Sequence, residues 1–126
     1  MRDYVVYHRS ESWQVPAHKD PHLEVVSRRI PAVGLIGSRV WLLVGSRRPR
    51  QYHLFMAFEA SKVIRRSAQK YRNGILGQRG KWFDPPIRVD GMPWFQSLRR
   101  SAGNFAFGLT EVRDPLVQAG LTTYWR

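Results

Sequence analysis

The chain has 126 residues, no cysteine, and 21 Lys+Arg against 9 Asp+Glu, a formal net charge of +12 at pH 7. The lack of cysteine excludes disulfides, thiolate catalysis and Cys-based zinc sites. A content of 43% hydrophobic and 13% aromatic residues excludes a disordered basic tail.

One domain over residues 1–126, long enough for its own core, is expected. The cation excess goes beyond what solubility needs and points to a polyanionic partner, nucleic acid first. Seventeen of the 21 cations are Arg. The planar fork of Arg grips phosphate and stacks on rings.

Tyr4 to His8 is β-branched and aromatic and predicts a first strand. Ser10 to His22 is polar, holds Pro16 and Pro21, and reads as a loop. Leu23 to Ile30 fits a short strand or one helical turn. Ala32 to Ser38, with Gly34 and Gly37, reads as a turn leading into Val40-Trp41-Leu42-Leu43-Val44, a buried strand by composition and length. Ser46 to Gln51 is a turn with Pro49 inside it, and Tyr52 to Val63 follows. The two runs predict a β-hairpin whose tip presents Arg47, Arg48 and Arg50, with Tyr52, Leu54, Met56 and Phe58 on one face of the second strand.

Ile64 to Asn73 is basic, and Asn73-Gly74 is a turn signal. Ile75 to Phe83, with Gly77 and Gly80, reads as a loop or irregular strand. Asp84-Pro85-Pro86 then breaks the chain before a short strand at Ile87-Arg88-Val89. Pro93 to Ser101 predicts a helix with Pro in its first turn and Trp94, Phe95 and Leu98 on one face. Phe105 to Leu109 alternates like a half-buried strand, and Pro115 to Gly120 predicts a last helical turn. The fold class expected is α+β and strand-rich: a small curved sheet or β-barrel with one or two short helices. Met1-Arg2-Asp3-Tyr4 lacks the apolar run of a signal peptide, and Val40 to Val44 is too short to cross a bilayer. A cytoplasmic protein with no membrane partner is expected.

The element order, the turn Ile36-Gly37-Ser38-Arg39-Val40-Trp41, the hairpin partner beginning Tyr52-His53-Leu54-Phe55, and the later Pro93-Trp94-Phe95 and Gly103-Asn104-Phe105-Ala106-Phe107-Gly108-Leu109 resemble the PUA-like superfamily. Within it they resemble the EVE and related modified-base-reading domains. Ser38 stands where those families usually have Asp. The last segment is also similar to C-terminal domains of bacterial restriction-type proteins. The resemblance implies a small β-barrel that binds RNA or DNA and holds a flipped, modified base in an aromatic pocket. It implies Trp13, Trp94 and Phe95 as pocket walls and Asn104 as a hydrogen-bonding partner of a base edge.

Three basic clusters stand out: Arg47-Arg48-Pro49-Arg50, Arg65-Arg66 with Lys70 and Arg72, and Arg99-Arg100. An arginine-bearing hairpin tip can enter a groove or clamp a backbone. Trp13 and Trp82 lie in polar segments and are candidate stacking platforms. The candidate nucleic-acid-binding set is therefore Trp13, Arg47, Arg48, Arg50, Trp82, Trp94, Arg99, Arg100 and Asn104. No cofactor, metal or catalytic residue is expected, and a partner protein would supply any catalysis.

Two other readings stay open. His8, His18 and His22, with Glu11, Asp20 and Glu24, are the one acid–base or metal-like cluster and would serve a small nuclease of toxin type. Pro21 works against the helix that would align His18 with His22. The second is a basic protein-interaction subunit whose aromatics serve an interface. The glycines from Gly74 to Lys81 do not have the spacing of a nucleotide-binding P-loop.

Overall fold

A computed structural model describes residues 2–9, 23–27, 34–47, 49–65, 73–105 and 109–125. Six strands are present: β1 (Asp3–Arg9), β2 (Glu24–Ser27), β3 (Arg39–Ser46), β4 (Gln51–Arg65), β5 (Asn73–Arg88) and β6 (Leu109–Val112). They form one curled sheet in the order β2-β5-β4-β3-β1-β6. Two short helices, α1 (Phe95–Ser101) and α2 (Pro115–Thr122), accompany it, and a 3₁₀ turn spans Gly103–Phe105. The expected strand-rich α+β class, a small curved sheet with short helices, is the class found. Both edge strands, β2 and β6, have only four residues, which leaves little unpaired backbone to recruit another sheet.

The unbroken apolar run of β3 follows from its central place. Successive side chains of a strand point to opposite faces, so such a run needs both faces dry. Trp41 and Leu43 join Val5 of β1 and Leu54 of β4 beneath Phe95 and Leu98 of α1 and Val117 and Leu121 of α2. Val40, Leu42 and Val44 join Tyr4, Val6, Phe58 and Ile75 on the opposite, inner face. β1 pairs with β3 in parallel, from Asp3 opposite Arg39 to Arg9 opposite Gly45.

Tyr52, Leu54, Met56 and Phe58 do not share one face. The β3–β4 register shifts between Leu42 and Leu43, which face Met56 and Leu54. Phe55 is the extra residue of a bulge. Tyr52 and Leu54 consequently pack under the helices, and Met56 and Phe58 pack on the inner face. Period-two alternation holds on each side of the bulge and fails across it.

Asn73-Gly74 opens β5 instead of making a turn, with both residues paired to β2 and β4. Asp84-Pro85-Pro86 also lies within β5. Trp82 faces Met56 and Ile87 faces Leu54, so residues 83–86 bulge out of the ladder. Proline has no N–H to give a ladder, and a bulge accommodates it. The Asp84–Pro85 bond is cis. Phe105 lies in the 3₁₀ turn, not in a strand, because β6 begins only at Leu109. Phe107 lies outside the described residues.

Helix α1 carries Phe95 and Leu98 inward with Trp94 at its N-cap, as the pattern predicts. Asp114 caps α2, its carboxylate accepting the Leu116 N–H at 2.9 Å, with Pro115 in the first turn. In the turn before β3, the Ser38 hydroxyl donates to the Gly34 carbonyl.

Candidate nucleic-acid interface

Two pairings gather cations at the hairpin end of the sheet. The β3–β4 turn presents Arg47, exposed and in the left-handed region at φ 64°, and Arg50, whose Nη1 donates to the Gly45 carbonyl at 3.2 Å. Because β1 runs parallel to β3, it ends at the same place and sets Arg9 opposite Gly45. The antiparallel β4–β5 pair sets Arg88 opposite His53. From the helical side, the Arg99 guanidinium lies 5.8 Å from the Tyr52 ring centre, and Tyr52 faces Gly45 across the β3–β4 ladder. Arg100, next in α1, is exposed.

The local electrostatics follow from these positions. Arg88 forks onto Asp90, with Nε and Nη2 at 2.9 and 3.0 Å from its two oxygens. Asp90 Oδ1 also accepts the Tyr52 N–H at 3.2 Å. The Arg88 hydrogen bond is the main reason the Asp90 carboxyl sits below its ordinary range. Burial lowers the pKa of His53; Asp90 opposes that shift, while Arg88 and Arg47 add to it. Its imidazole is therefore neutral at pH 7.

Most described carboxylates are engaged elsewhere. Asp3 binds Arg39, Glu59 binds Arg79 at 2.6 Å, Glu111 binds Arg113 at 3.4 Å, and Asp114 caps α2. Asp90 pairs with Arg88 within this cluster.

The structure brings together Arg47, Arg50 and Arg99 from the expected set. Arg9, His53 and Arg88 join them without having been anticipated. The signal for Arg88 and His53 would have been recognition of one long β5. Arg9 had none, since a parallel pair carries no hairpin turn to fix its register.

Trp94 is only 6% exposed and packs on Phe95. A side chain at Gly120 would collide with its indole. Trp94 therefore belongs to the core beneath the helices. Trp82 is half-buried against the inner core, and its Nε1 is enclosed with no acceptor. Asn104 lies in the 3₁₀ turn; its side chain, Trp13, Arg48, His18 and His22 lie outside the described residues, as do Arg66, Lys70 and Arg72. His8 is buried in β1 opposite Val44. Among the described residues no three His, Asp or Glu side chains group as a metal site, and no helix is long and apolar enough to cross a membrane.

Compared with protein-family models, with curated proteins and with solved structures, the chain matches none.

Proposed function

We propose that this protein is a nucleic-acid-binding module without catalysis of its own, contacting DNA or RNA through the hairpin end of its sheet. The observation that carries the reading is the gathering of Arg9, Arg47, Arg50 and Arg99 around one strand end while most described carboxylates are paired or capping elsewhere. Such a patch is the electrostatic footprint of a phosphate backbone, and it sits at a hairpin end, a shape that can follow a groove or strand. The strand-rich curled sheet with short helices is compatible with a PUA-like module that reads an unpaired or modified base beside the patch.

The test is titration of labelled single- and double-stranded DNA and RNA, plain and modified, at two salt concentrations. Binding that weakens steeply with salt is the expected result. No binding to any of them at low salt overturns the reading.

A further inference from the structure

The inner face of the sheet is lined by apolar side chains such as Val6, Leu42 and Met56. One step nearer the hairpin end, its cross-strand row is His8, Val44, His53 and Arg88, over β1, β3, β4 and β5. Alternation fixes the side. His53 lies between Tyr52 and Leu54, and Arg88 between Ile87 and Val89, all four of which pack on the helical side. His53 is half-buried. His8 is buried two strands away, about 10 Å along the row.

Among the described residues, charge reaches His53 from Arg88 across the ladder, from Asp90 just beyond β5, and from Arg47 in the β3–β4 turn. Asp90 is forked onto Arg88 and accepts the Tyr52 N–H, so it offsets Arg88 first. Arg47 is an exposed cation of the same hairpin end. The imidazole thus stands where the field is set by two arginines of the patch and one carboxylate. A phosphate seated by those arginines cancels part of the cationic field that opposes protonation and adds its own negative charge. Both changes favour the imidazolium form. The coupling is reciprocal: an anion that raises the proton affinity of His53 is itself held more tightly once His53 is protonated.

We propose that His53 is a proton-linked switch of the nucleic-acid surface: a phosphate backbone binding at the hairpin end draws a proton onto its imidazole, and affinity rises as pH falls from neutral. This rests on the nucleic-acid reading and adds its regulation. Well above neutral pH His53 is uncharged in the free and bound chain and contributes nothing. As pH falls, the bound chain takes up the proton first, and the gain is complete once the free chain is protonated too. The gain is about tenfold in affinity for each pH unit that separates the two protonation steps.

The probe is a 5′-hydroxyl oligothymidylate, which lacks the terminal phosphate whose second ionisation falls in the same range. Fluorescence anisotropy at fixed ionic strength measures its affinity at about pH 7.5 and about pH 5.5. NMR follows the His53 ring protons through a pH titration of the full chain, free and bound. Affinity is expected to rise about tenfold at the lower pH, His53→Gln to lose most of that rise, and the His53 ring to titrate at higher pH in the complex. The ring titration is read in the parent chain and does not depend on how the variant folds. Equal pH dependence in the parent and His53→Gln, or a His53 ring that titrates at the same pH free and bound, overturns the proposal and leaves the nucleic-acid reading standing. No binding at either pH overturns both.

Discussion

Asp3 and Arg39 make a charge pair enclosed at the end of the sheet away from the hairpin tip. Asp3 is 1% exposed, and its Oδ1 also accepts the Trp41 Nε1–H at 2.9 Å. The Arg39 guanidinium lies 5.6 Å from the ring centres of both Trp41 and Trp125, and its Nη2 donates to Thr122 at 2.8 Å. One carboxylate thus ties β1 to β3, and Arg39 ties both to the end of α2. Asp3→Asn removes the counter-charge and leaves Arg39 buried. The expected loss is about 3–5 kcal/mol, read as a lower denaturation midpoint at unchanged slope. The exposed Arg113–Glu111 contact at 3.4 Å is expected to matter by less than about 1 kcal/mol. His53 gives a second prediction at this scale. Its pKa in the fold lies below the ordinary 6.5, so the unfolded chain takes up the proton first as pH falls. Stability therefore drops as pH passes downward through that ordinary value. Asp90, held below its ordinary range, adds a loss of the same sign at lower pH. Thermal melts at about pH 7.5 and about pH 5.5 are expected to show a smaller Tm difference in His53→Gln than in the parent chain.

At the scale of elements, glycine decides how closely β5 lies on β4. A side chain at Gly80 would meet the Ala57 carbonyl and the Phe58 backbone, neither of which can rotate away. Gly91, in the turn after β5, has open space around it. Gly80→Ala is expected to cost about 1–3 kcal/mol, and Gly91→Ala to be neutral or slightly stabilising; paired urea titrations check both. The same strand shows what composition could and could not reveal. The hairpin, α1 and α2 were legible because Pro49, Pro93 and Pro115 mark their borders and their apolar spacing is regular. β5 was not, because Asn73-Gly74, Gly77, Gly80 and Pro85-Pro86 all read as interruptions. Pairing to β4 along its length overrides those local signals, and the proline pair is taken up by a bulge. The Phe55 bulge was equally hidden, since one extra residue leaves the apolar alternation of β4 intact on paper while exchanging the faces.

For the whole molecule, a net charge of +12 becomes informative through its placement. Composition indicated a polyanion, and Arg47 and Arg50 were visible as a hairpin tip. That Arg9 and Arg99 reach the same strand end depended on a parallel register and on where α1 docks, neither of which has a local signature. If the hairpin end holds a phosphate backbone, Arg47→Gln with Arg50→Gln should weaken binding about equally across sequences. The slope of log affinity against log salt should also shrink by about one per lost phosphate contact. Fluorescence anisotropy over a salt series measures both. A slope unchanged by the double variant would move the contact surface elsewhere.

The parallel β1–β3 pair also sets the order of events during synthesis. β1 leaves the ribosome first, yet its partners are β3, some thirty residues later, and β6, from Leu109 onward. Until β6 emerges, the backbone edge of β1 and the apolar flank of Val5 and Val6 have no cover on one side. Contacts this distant along the chain make for slow closure, on the order of milliseconds to seconds once the whole chain is available. Until β6 pairs with it, β1 therefore keeps an adhesive margin, the kind of strand edge that recruits other chains.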